Sequence, residues 1–115
     1  MTLATKAKRI HIALAVHDLE DAIAEFTARL GIEPKVVAGG EYALFLTHNL
    51  NLSLSEMPGE RGKLRHLGFE DEEAQGFSVE TDSNGFTWEH FTLPQQAAEI
   101  RQHWPDAKWH PKLGD

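Results

Sequence analysis

From Ile10 to Val16 the chain alternates, with Ile10, Ile12, Leu14 and Val16 on one face and His11, Ala13 and Ala15 on the other. This period of two predicts a strand whose isoleucine face meets the core and whose opposite face leaves open volume beside the imidazole. At Asp18 the period changes. Asp18 reads as an N-cap with Asp21 three residues on, and Leu19, Ala22, Ile23, Phe26 and Leu30 recur at helical spacing until Gly31. Two strands follow, Pro34 to Val37 and Glu41 to Thr47, separated by a Gly39–Gly40 turn. In a fourth strand Leu50, Leu52 and Leu54 alternate with Asn51, Ser53 and Ser55, which completes a βαβββ unit by Glu56.

A breaker-rich loop, Pro58 to Gly62, leads to a fifth strand, Lys63 to Glu70, in which Leu64, His66 and Gly68 share a face. A second βαβββ unit needs a helix of about 11 residues at this point. Only Asp71 to Gln75 stand there. The chain goes straight into a hairpin, Phe77 to Thr81 and Phe86 to Leu93, turning through Asp82, Ser83, Asn84 and Gly85. Glu89 shares a face of its second strand with Thr87 and Phe91. Pro94 opens a last helix with Ala97, Ile100 and Trp104 as apolar positions, Pro105 ends it, and the tail to Asp115 is expected to be irregular.

Composition adds exclusions. Hydrophobic residues at 41% and charged residues at 25% describe an ordinary globular chain and exclude disordered and fibrous classes. The net charge of −7 argues against a nucleic-acid surface, and the short basic run Lys6 to Arg9 is expected only to solvate an N-terminal arm. No cysteine is present, so there is no disulfide and no thiolate, and any metal must be held by nitrogen and oxygen. No apolar stretch reaches the roughly 18 residues of a membrane span and no secretory apolar region opens the chain, which makes the cytoplasm the expected compartment. The Gly39–Gly40 pair is not a phosphate loop, because no helix follows it directly, and no serine nucleophile motif occurs.

Three side chains carry candidate chemistry: His11, His66 and Glu89, each in the middle of a predicted strand. Two imidazoles and a carboxylate form a set that holds a divalent metal and leaves positions open. The set suits Fe, Mn, Ni or Zn without choosing among them. Ala13, Ala15, Ser53 and Gly68 would leave room for a substrate, and few aromatics are expected on that face. His17, His48, His90, His103 and His110 read as surface or cap residues, although a one-residue slip would exchange His90 with Glu89.

Three stretches resemble the vicinal oxygen chelate superfamily, which contains glyoxalase I, extradiol dioxygenases and fosfomycin- and bleomycin-resistance proteins. His-Ile-Ala-Leu-Ala-Val-His-Asp-Leu-Glu, 11–20, is similar to the family's opening strand and helix, with its first ligand position on His11. Leu-Arg-His-Leu-Gly-Phe-Glu, 64–70, places the second on His66, and Asp-Ser-Asn-Gly-Phe-Thr-Trp-Glu-His-Phe, 82–91, the third on Glu89. The wording of the first stretch comes closest to cadmium-induced proteins and organoarsenical lyases, whose cysteine motif this chain lacks.

The resemblance implies one α+β domain over 1–115, built of paired βαβββ modules that form an incurved mixed sheet. Residues 1–56 are the complete module, 63–93 a shortened second one without its usual helix, and 94–104 an added C-terminal helix. That helix is expected to pack where the missing one would lie, or a homodimer to cover the shortened sheet. The implied function is metal Lewis-acid chemistry on a small oxygen-chelating substrate, with Glu89 as a catalytic base by family analogy. The alternatives are a metal-free protein that sequesters a small ligand, as bleomycin-resistance relatives do, and a remnant module without a cleft.

Overall fold

The structure, a computed structural model, describes residues 8–115. Seven strands and two helices form an α+β fold around one mixed sheet: β1 (Arg9–Val16), α1 (Leu19–Leu30), β2 (Val36–Ala38), β3 (Tyr42–Leu46), β4 (Leu50–Glu56), β5 (Leu64–Glu70), β6 (Ser78–Thr81), β7 (Thr87–Phe91) and α2 (Leu93–His103). The strand order is β2-β3-β4-β1-β5-β7-β6. β1 lies parallel to β4 and antiparallel to β5, β5 lies parallel to β7, and the outer pairs β2–β3, β3–β4 and β6–β7 are antiparallel.

The alternation along β1 sorts its residues as expected, but burial follows the sheet's two coverings. One face carries Ile12 and Leu14 of β1, Leu52 and Leu54 of β4 and Ala43 and Phe45 of β3, and α1 packs on it through Leu19, Ile23 and Phe26. Fully buried Leu54 and Phe45 each contribute about 1.5–3 kcal/mol by leaving water. The helix begins where Asp18 Oδ1 accepts the Asp21 N–H at 2.9 Å and stops at Gly31, whose φ of 73° is a left-handed conformation that glycine takes without steric cost. Ile10, beyond the reach of α1, stays 47% exposed.

The opposite face holds His11, Ala13 and Ala15, and it is the more buried of the two along β1. α2 is the cause. Ile100 packs with Tyr42, Leu44 and Ala38, and Trp104 stacks on Tyr42 with ring centroids 5.0 Å apart. The C-terminal helix therefore lies over β2, β3 and β4 on the face opposite α1, and does not take the place of a second α1-like helix. β3 is buried on both sides for this reason, which is why Tyr42–Leu46 reads as an unbroken apolar run.

Two further expectations change. Arg9 does not solvate an arm: it is buried, donating from Nη1 to both oxygens of Glu70 at 2.9 and 3.1 Å, while Lys6 lies outside the described residues. The last strand ends at Phe91 and not Leu93, because Thr92 is the N-cap of α2. Its Oγ1 accepts the Gln95 N–H and the Gln95 side chain accepts the Thr92 N–H, a capping box that puts Pro94 inside the first turn. The tail is irregular yet anchored: Arg101 donates to the Trp109 carbonyl at 2.7 Å, and Asp115 pairs with Lys35 at 2.9 Å.

Candidate metal centre

Register brings the three predicted ligands together. His11 stands opposite Gly68 across β1–β5, Gly68 stands opposite Glu89 across β5–β7, and His66 lies two residues from Gly68 on the same face. The shared side passes through Gly68 for a steric reason: a Cβ there would sit 2.3 Å from the Glu89 carbonyl oxygen. Gly68 thus serves the close approach of β5 to β7 rather than making room for a substrate. Ala13 and Ala15 are covered as well, and the open space lies along Ser53 and Ser55.

His66 Nε2 lies 3.0 Å from His11 Nε2 and 3.0 Å from Glu89 Oε1, and His11 Nε2 lies 3.6 Å from the same oxygen. Adjacent ligands at about 2.1 Å from one metal stand about 3.0–3.5 Å apart. The two-nitrogen, one-oxygen triangle has that size, and all three ligand atoms come from a single chain. His90 is not part of it. The β5–β7 register turns His90 to the other face, where its Nε2 meets Asp71 Oδ2 at 2.8 Å.

His11 is held by a buried polar chain. Its Nδ1 faces two acceptors of Asn51, the carbonyl at 3.1 Å and Oδ1 at 2.8 Å. Because a carbonyl only accepts, Nδ1 carries the proton and Nε2 presents a lone pair to the triangle. The Asn51 amide is oriented in turn, since its Nδ2 donates to Glu70 Oε1 at 3.0 Å and to Gln96 Oε1 at 2.7 Å. Gln96 Nε2 donates back to Asn51 Oδ1 at 3.0 Å, and Arg9 neutralises Glu70. Phe91 packs edge-on against the imidazole at 5.1 Å. Burial lowers the His11 pKa and so favours the neutral imidazole a metal requires; the Asn51 hydrogen bond opposes this in part.

The triangle opens into a cleft of about 340 Å³, bounded by Tyr42, Phe77, Trp104, Ser53, Ser55 and Arg65. The short connection from β5 to β6, with no helix in it, leaves this cleft open. Few aromatics are expected here from the sequence, whereas β3, the segment before β6 and the residue that ends α2 supply Tyr42, Phe77 and Trp104. Burial also pushes the Tyr42 hydroxyl above its ordinary pKa, keeping it a neutral donor. His103, assigned from the sequence to a helix end, stands at the rim against Trp104 with ring centroids 5.0 Å apart. Asn51, Gln96 and Tyr42 escaped the sequence because none carries a local motif; the helix opened by Pro94 includes Gln96, but nothing local marks it as a partner of Asn51.

No family model matches the chain, and no curated protein matches it.

Proposed function

We propose that the protein holds a divalent transition metal on His11, His66 and Glu89 and takes a small oxygen-chelating molecule into the adjoining cleft. The observation that carries this is the triangle of ligand atoms with edges of 3.0, 3.0 and 3.6 Å, one corner oriented by Asn51. His2Glu chemistry accommodates Fe, Mn, Ni or Zn. When bound, such a metal supplies Lewis-acid stabilisation of negative charge on substrate oxygens. Asn51 keeps His11 in the ligating tautomer, Tyr42 offers a neutral O–H donor, and the Tyr42–Trp104 stack keeps water from one wall. The triangle has no separate general base, so the catalytic role we assign to Glu89 is that of a carboxylate that would leave the metal to take a proton from a bound molecule.

Kinship with the vicinal oxygen chelate superfamily belongs to the same proposal. Its support is the strand order: β3-β4-β1 and β6-β7-β5 each join a parallel pair to an antiparallel strand, and they meet at the antiparallel β1–β5 seam. The second group lacks a helix on the α1 side, leaving Ile10 and the stacked Phe69–Trp88 pair partly open. A homodimer that covers this face is part of the proposal, and sedimentation velocity at micromolar concentration should show two chains. A monomer at that concentration would remove it. The chelating site itself needs no second chain.

Elemental analysis of untagged protein is the main test. One metal per chain is expected, with loss in His66→Ala and Glu89→Ala. Absence of metal after growth and dialysis with all four ions would defeat the proposal and favour a metal-free protein that sequesters a small ligand, a second reading that the aromatic walls of Tyr42, Phe77 and Trp104 support. Among the described residues no helix is long and apolar enough to cross a membrane.

A further inference from the structure

β5 departs from a regular ladder at one place. Ala13 stands opposite His66 and Leu14 opposite Leu64, so Arg65 is an extra residue with no partner on β1. In an unbroken strand Arg65 would point away from His66. The bulge re-aims it instead, and its Nη1 donates to Ser55 Oγ at 3.1 Å on the cleft side.

Arg65 is the one permanent cation among the described residues lining the cleft. The carboxylates there are otherwise engaged or stand at the rim: Glu89 belongs to the triangle, Glu56 accepts the Leu19 N–H at 2.8 Å, Glu41 accepts the Trp104 indole N–H at 3.1 Å, and Glu99 is exposed on α2. No ion pair to Arg65 forms among the described residues; Ser55 is its hydrogen-bond partner. Four of its five N–H groups therefore stay free, in a planar fork that fits the paired oxygens of an acid. Arg65 lines the same cleft as Tyr42, His11, His66 and Glu89, so guanidinium and ligand triangle border one space.

We infer that Arg65 is a specificity residue for the acidic end of a small dianion whose other end offers two oxygens at His11, His66 and Glu89. This rests on the metal-binding proposal above. With one ligand carboxylate, a divalent ion leaves a single positive charge at the triangle, and Arg65 adds a second across the cleft. A ligand with a chelating head and a distal carboxylate or phosphonate matches both. Arg65 and the carboxylates of Glu41, Glu56 and Glu99 are all exposed, so water and salt screen the attraction and the opposition alike, and the hydrogen-bonding fork of Arg65 carries the preference.

The test uses Co(II) as metal and two five-carbon probes with the same 2-oxo acid head: 2-oxoglutarate, which carries a terminal carboxylate, and 2-oxopentanoate, which carries a methyl group there. Each is titrated into cobalt-loaded protein while the visible Co(II) bands are followed, with cobalt content matched between wild type and Arg65→Gln. Wild type should bind the diacid about tenfold more tightly, the worth of one charge-assisted contact, and Arg65→Gln should bind the two equally. Equal binding in wild type, or a preference that survives in Arg65→Gln, would overturn the inference while leaving the metal proposal standing. Wild-type protein that takes up no cobalt would overturn both.

Discussion

Asn51 is worth following at the scale of single atoms, because its amide oxygen and its own carbonyl together hold the His11 proton on Nδ1. Asn51→Leu keeps the side-chain volume but removes the oxygen, and it leaves Glu70 and Gln96 each short of a donor. Metal affinity should fall about 10- to 100-fold, the usual loss when a ligating histidine loses its orienting partner, read by competition with a chromophoric chelator. An affinity within twofold of wild type would show that the imidazole orients itself. The three ligands could be read from the sequence because each sits mid-strand in a short stretch with recognisable neighbours. Arg9, Asn51, Glu70 and Gln96 could not, since their contacts join residues 19 to 61 positions apart and each looks locally like a surface polar group.

Strands and the first helix were visible as periods of two and 3.6, and their ends as Asp18 and Gly31. What those periods do not encode is the side on which a later helix lands. β3 is apolar on both faces, so pattern alone gives no reason to prefer one for α2; the choice follows from Ile100 finding Leu44 and Tyr42, and from Gln96 finding Asn51. The pairing of β5 with β7 depends on Gly68, whose Cα faces the Glu89 backbone with no room for a methyl group. Gly68→Ala should therefore separate the two strands and carry Glu89 away from the histidines. We expect a loss of about 1–3 kcal/mol in urea unfolding, the range for overpacking, together with weakened metal binding. Unchanged stability would mean that the strands shift freely and that the close approach is not required.

At the scale of the whole molecule, stability should depend on pH in two windows. Burial sets the His11 pKa below its ordinary 6.5, so the unfolded chain takes up this proton first. In metal-free protein the stability due to a neutral His11 is complete above about 6.5 and drains as pH falls from there toward the folded value. Asp115 moves in the same direction at lower pH. Its hydrogen bond from Lys35 is the main reason its pKa drops from 3.8 to about 2, so its contribution is present above about 3.8 and gone once pH falls through about 2. Urea midpoints from pH 8 to 2 should show both declines, and His11→Asn should abolish the upper one. A midpoint flat from pH 7.5 to 5 would contradict the buried neutral imidazole. The β5 bulge has a different consequence, one that concerns descent. Removing Arg65 would restore an even ladder, with Leu64 still opposite Leu14 and His66 still opposite Ala13, so neither the core nor the ligand set would change register. A lineage can therefore gain or lose the cleft's cation by inserting or deleting a single codon, a change that leaves every other pairing in the sheet as it was.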